Sequence, residues 1–277
     1  MVSTGNIIAM LLSALLSVAF FIGLCAFVKI KFKASLKVGL FAAIGFFVFA
    51  ATLEGIVNQI ILLFLPIGTA IQSNIFTYAL YGGLAAGVFE ETARFIIMKF
   101  LLKKQHNNKY NAIMYGAGHG GFEVMFLIGT TMLNNLIYAI MINTNQMYST
   151  MSALPADQQE ELKAVIDSLI TMKPYQFFVG YIERIPAVAI HISLSVLVWI
   201  AVTQKKTWMY PLAIVLHALV DGLMVIIADV ITRSGINVMW VEVEIYISAI
   251  ILCAIAVIFW KKYLATQKEE IILAEKE

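Results

Sequence analysis

Long apolar runs separated by short polar connections dominate the chain. Seven runs, at about 6–28, 38–65, 74–102, 111–142, 175–203, 208–231 and 240–260, are long enough to matter. Each reaches or exceeds the roughly 20 residues that a helix needs to cross a bilayer. None alternates apolar with polar positions as the strands of an outer-membrane barrel do. The pattern predicts an all-α fold, a polytopic transmembrane helix bundle of about seven spans. Residues 143–174 interrupt it. There a Pro155–Asp157 start precedes Leu162, Val165, Ile166, Leu169 and Ile170 at helical spacing, which predicts a short amphipathic helix. Such a helix rests on the headgroups as a connector or serves as a lid over a path for substrate.

The connections predict an orientation. Lys29, Lys31, Lys33 and Lys37 follow the first run, and Lys99, Lys103, Lys104 and Lys109 the third. Lys205 and Lys206 follow the fifth, and Lys261 and Lys262 the seventh. The alternate loops are poor in lysine, and 66–73 carries no charge. The positive-inside rule then sets the N-terminus outside and the C-terminus in the cytoplasm. It makes 143–174 an extracytoplasmic loop and 262–277 a cytoplasmic tail. The first run has no basic segment before it and no small-residue cleavage motif, so it is expected to be a retained anchor.

Composition agrees with this picture. Of 277 residues, 61% are hydrophobic and only 13% charged, and the mean hydropathy is +0.88. Soluble domains carry about a quarter charged residues. The net charge of +2 needs no nucleic-acid partner, because topology accounts for the lysines. Cys25 and Cys253 both lie in apolar runs without thiol-ligand spacing. A single integral membrane domain over 1–277 is expected.

Several polar residues sit inside the apolar runs, where charge is costly and marks functional candidates. Glu90, Glu91 and Arg94 share the third run, His119 and Glu123 the fourth. His191 lies in the fifth, His217 and Asp221 in the sixth. Counted from the nearest lysines at 1.5 Å per residue, all fall roughly 14–23 Å from the cytoplasmic edge. Four helices thus deliver acid, base and imidazole to one layer. Glu90 and Arg94 are spaced i, i+4 and Glu91 and Arg94 i, i+3, so Arg94 can neutralise one carboxylate and leave the other for chemistry. His119 with Glu123, and His217 with Asp221, repeat the i, i+4 spacing. Gly116, Gly118, Gly120 and Gly121 allow close helix approach around His119. Each feature alone has a plainer reading: a Glu–Arg pair as a structural bridge, a histidine as a hydrogen-bonded packing residue. Glu183 and Arg184 read as a boundary ion pair. Glu54, near Asn58 and Gln59, reads as a packing or cavity residue off the shared face.

The motifs resemble a family. Glu90-Glu91-Thr92-Ala93-Arg94 is similar to the first motif of the CAAX-protease and bacteriocin-processing (CPBP) membrane peptidases and their PrsW-like relatives. His119-xxx-Glu123 occupies the place of the second motif, His191 that of the third, and His217-xxx-Asp221 resembles the closing HxxxN or HxxxD. GHGGFE, ERIPAVAIHISLSVLVW and HALVDG look most like the YhfC family of intramembrane peptidases, over about residues 75–230. The first motif has two residues between Glu91 and Arg94, as in the PrsW-like branch. Glu123 stands where the second motif has a histidine.

The resemblance implies an intramembrane endopeptidase acting on a membrane protein or lipidated peptide through a Glu- and His-activated water. Glu90 is the preferred general base, with Glu91 as runner-up. His119 or Glu123 would help hold the water, His217 and Asp221 would stabilise the oxyanion or orient the substrate carbonyl, and His191 would be a polar partner. The expectation is no cofactor, with Zn²⁺ as the competing detail: three histidines and several carboxylates could bind it, but HExxH is absent. Two other classes stay open, a proton-coupled transporter and a non-catalytic membrane scaffold.

Overall fold

The computed structural model describes residues 1–237 and 240–265. Among these, every regular element is helical. The helices are α1 (Thr4–Phe32), α2 (Leu36–Phe64), α3 (Pro66–Gln72), α4 (Ile75–Ile96), α5 (Asn111–Asn143), α6 (Gln146–Ser152), α7 (Ala156–Thr171), α8 (Gly180–Thr203), α9 (Met209–Arg233) and α10 (Val241–Trp260). Within α2 the backbone widens to π turns at Phe46–Glu54 and Ile60–Phe64. Similar turns extend α4 through Ile97–Leu101 and α10 through Lys261–Ala265. Most of the expected tail, 266–277, lies outside the described residues.

Six helices among the described residues are long and apolar enough to cross a membrane. They are α1, α2, α5, α9, the segment Pro174–Thr203 that contains α8, and α10 with its extension. The chain is a multi-pass helical membrane protein. The remaining long helix, α4, carries Glu90, Glu91 and Arg94, all buried. Exposed Leu, Ile and Phe cover the outside of the spans, for example Leu12, Leu15 and Ile22 on α1 and Ile250 and Ile258 on α10. That is the expected surface where the solvent is lipid.

Two compact units emerge. The first comprises 1–23 and 123–184, the second 24–122 and 185–277. In the first unit, backbone groups at element ends find side-chain partners. Asn143 exchanges bonds of 2.7 and 3.0 Å with Val2, and Asn6 donates to the carbonyls of Leu169 and Met172. Ser13 donates to Phe177 and receives Tyr181 on its own carbonyl. The amphipathic α7 buries Ile166 and Leu169 and exposes its acidic face, as its periodicity requires.

The second unit is built on helix contacts so close that only glycine fits. A Cβ at Gly118 of α5 would lie 2.4 Å from the Gly39 carbonyl oxygen of α2. A Cβ at Gly116 would lie 2.3 Å from the Ile192 Cα of α8, and one at Gly83 of α4 2.3 Å from the Ala218 oxygen of α9. Without a hydrophobic force between helices in lipid, small residues at crossings supply the packing. These crossings set α5 backbone to backbone against α2 and α8, and α4 against α9.

Candidate metal centre

Glu90 and Glu91 are adjacent on α4 and therefore point about 100° apart. They meet different partners. Glu91 is fully buried, and its Oε1 accepts from Arg94 one turn on and from His217 Nδ1 at 2.8 Å. Arg94, also fully buried, reaches His191 Nδ1 with its other terminal nitrogen at 3.3 Å. Of the two carboxylates, Arg94 thus bonds Glu91. Glu90 faces the imidazoles: its Oε2 accepts from His119 Nε2 at 2.8 Å and lies 3.8 Å from His191 Nδ1 and 3.9 Å from His217 Nε2. The rings are packed together, with centroids 4.7 Å apart for His119–His191 and 5.6 Å for His191–His217. Phe46 of α2 sits edge-on to His119 at 5.2 Å and screens it with apolar surface.

His217 links the two carboxylates. Its Nδ1–H is given to Glu91, so in the neutral ring the lone pair is on Nε2. That atom lies 3.5 Å from Asp221 Oδ2 on the next turn of α9. Asp221 is the most exposed member of the group, with 39% of its side chain accessible, against 4% for His217. Glu90, Glu91, Arg94, His119, His191, His217 and Asp221 all belong to the second unit. Glu123 belongs to the first, and there it pairs with Arg184 at 2.9 Å, while Arg184 also bonds Glu183.

One residue of this neighbourhood was not picked out from the sequence. Tyr115 is fully buried on α5, within electrostatic reach of Arg94, Glu90 and Glu91, and its hydroxyl has no hydrogen-bond partner among the described residues. Its single sequence signal was a tyrosine one turn before His119. Glu54 lies within electrostatic reach of Glu90, His217 and Asp221. Asn58 donates to it at 3.3 Å, and Tyr81 of α4 donates to Asn58 at 2.7 Å.

The donor set fits a divalent ion. One ligand atom each from Glu90, His119 and His191 lies within 4.8 Å of the others, and all three residues are buried. Ligands of a tetrahedral zinc at about 2.1 Å stand roughly 3.4 Å apart. The two Glu90–imidazole separations, 2.8 and 3.8 Å, bracket that spacing, and an ion at His191 Nδ1 would take the place of that atom's contact with Arg94. Charge argues the same way. Arg94 bonds Glu91, so buried Glu90 faces only imidazoles and has room for a cation of its own.

The family described as YhfC intramembrane metalloprotease matches residues 14–247. A Bacillus subtilis (strain 168) protein, printed as "Uncharacterized membrane protein YhfC", is 33% identical over 250 residues, covering 90% of this chain and 94% of its own length. No solved structure matches. With a match across most of its helices and the three-ligand cluster within it, the chain belongs to the YhfC intramembrane metalloprotease family.

Proposed function

We propose that the protein is a metal-dependent endopeptidase that hydrolyses a peptide bond of a membrane-associated polypeptide. The observation that carries this reading is the clustering of Glu90, His119 and His191 beside an Arg94–Glu91–His217 chain. Two histidines and a glutamate are the donor set of known hydrolytic zinc sites. Bound there, such an ion supplies Lewis acidity, which makes a water acidic enough to attack at neutral pH and polarises the scissile carbonyl. The zinc alternative left open by the sequence is thereby preferred to a metal-free site, and Glu90 becomes a ligand rather than the base.

His217 acts as the general base. Glu91 fixes its tautomer by accepting a hydrogen bond from Nδ1–H, and Arg94 holds Glu91 in place. The logic is that of a carboxylate orienting a catalytic imidazole. As water adds to the carbonyl carbon, Nε2 takes its proton. Asp221, 3.5 Å away, stabilises the imidazolium. When the C–N bond breaks, the same proton passes to the leaving amine. Screening by Phe46 and by the close helix crossings keeps bulk water out, so each interaction acts in low dielectric.

The test uses the purified full-length protein in proteoliposomes with a library of single-span peptides. The expected result is about one zinc per chain and cleavage that 1,10-phenanthroline abolishes and added zinc restores. Undiminished cleavage by metal-free protein would overturn the metal assignment. Full metal occupancy with no cleavage of any peptide would count against the peptidase reading.

In the same reading α4 is the seventh span, because its acids are paired within the protein rather than facing lipid. The lysine clusters then support an N-out, C-in topology. Single cysteines at Asp157 and Lys262, in a background lacking Cys25 and Cys253, should label from opposite sides of sealed vesicles. Labelling of both from one side would refute seven spans.

A further inference from the structure

α9 lies tightly against α4, but it stands away from α10 along its C-terminal half. The gap is a cavity of about 700 Å³. Leu223, Ile227 and Ile231 line it from α9, and Glu244, Ile247 and Ile251 from α10. The α9 residues recur every fourth position, so they form one continuous face about 12 Å long. Cavities of about 300–1,000 Å³ are the size that holds a ligand.

One wall residue is out of keeping with the rest. Glu244 is only 9% exposed, and its Oε1 accepts from Ser248 at 2.7 Å. Its Oε2 is buried and has no hydrogen-bond partner among the described residues. A buried carboxylate oxygen without a donor is costly, and inside a membrane span the cost is higher. The groove also leads somewhere. Asp221, two residues before Leu223, is within electrostatic reach of Glu244 and is 3.5 Å from His217 Nε2. One end of the groove therefore adjoins the proposed proton acceptor.

We propose, building on the peptidase reading, that this groove seats the apolar segment of the polypeptide substrate, and that Glu244 selects a segment carrying a lysine or arginine. The apolar walls match a segment that is itself membrane-embedded. The unmet carboxylate oxygen requires a donor. A lipid acyl chain has none, and the backbone amides of a helical segment are consumed by its own hydrogen bonds. A cationic side chain supplies both the donor and the opposite charge, and Asp221 extends the same negative potential towards the reacting groups.

Full-length protein in nanodiscs, with the photo-crosslinker benzoylphenylalanine replacing Ile247, tests this with two synthetic single-span peptides. They are identical except for one lysine in the first and norleucine in its place in the second. The lysine peptide should crosslink at least about tenfold better, roughly what one charge-assisted hydrogen bond in low dielectric supplies. Glu244→Gln should reduce that ratio to within about twofold. Glu244→Lys should transfer the preference to a peptide bearing glutamate. Ile227→Trp, which fills the groove without touching its charge, should block crosslinking of both peptides. Equal crosslinking of the two peptides, crosslinks to lipid alone, or a lysine preference that survives Glu244→Gln would each overturn the proposal. Lysine-selective crosslinking without cleavage would leave the groove assignment standing and remove the peptidase reading. Cleavage without charge preference would do the reverse.

Discussion

His119→Ala should lose the metal and the cleavage together, whereas His217→Ala should keep the metal and lose only the cleavage. The difference follows from where the two rings stand. His119 belongs to the three-donor cluster and bonds Glu90 directly. Losing one of three ligands should weaken binding by more than the roughly 10–100-fold that outer partners of a metal site are worth. Metal content should therefore fall below about a tenth of an ion per chain after dialysis. His217 stands outside the three-donor cluster and gives its Nδ1–H to Glu91. Its loss should leave zinc near one per chain and lower kcat by about 10³, within the range for removing a general base. Elemental analysis beside cleavage rates reads both outcomes. A His217→Ala protein that loses zinc as completely as His119→Ala would make His217 a ligand and leave the base unassigned.

How much of this arrangement was readable from residue order varies with distance along the chain. Depth counting put Glu90, His119, His191 and His217 in one layer, and the structure brings these four together. The count works because helices of fixed rise start from lysines at a common boundary. Which carboxylate Arg94 takes was not readable. Spacings of i, i+3 and i, i+4 are both compatible with a helix face, and the choice is made by His217 and His191 on other helices. Glu123 shows the opposite limit. It follows His119 by one turn, yet Arg184 binds it. Counting residues set those two at depths differing by roughly 11 Å, a gap that a long arginine and helix geometry can close.

The face that Glu54 presents was unreadable for another reason. It ends a π-helical stretch in α2. Each π turn inserts a residue and rotates every later side chain by about 100° relative to an α-helical count. The face that Glu54 presents therefore could not be inferred from α-helical spacing. Nothing in an apolar sequence such as Phe46–Thr52 announces the change.

Arg94→Ala, Glu91→Gln and the double variant Arg94→Met with Glu91→Gln should separate a catalytic chain from a structural bridge. Arg94 is fully buried and holds Glu91 and His191 at once. Arg94→Ala leaves Glu91 buried without its cation and should cost about 3–5 kcal/mol of stability, the usual penalty for half-breaking a buried pair. Glu91→Gln leaves the guanidinium, which still has Glu90 within electrostatic reach, so its stability loss should be smaller. Its kinetic loss should be large. A glutamine can donate to His217 Nδ1 as readily as accept from it, so the lone pair is no longer confined to Nε2 and kcat should fall by roughly 10³–10⁴. The double variant Arg94→Met with Glu91→Gln removes both charges and keeps the volume. It should regain most of the stability, since apolar groups replace buried ion pairs at little cost, but none of the activity. Unfolding in mixed micelles, measured beside cleavage, gives both quantities for all three proteins. Stability and activity returning together in the double variant would reduce the Arg94–Glu91–His217 chain to packing and remove the general base from the mechanism.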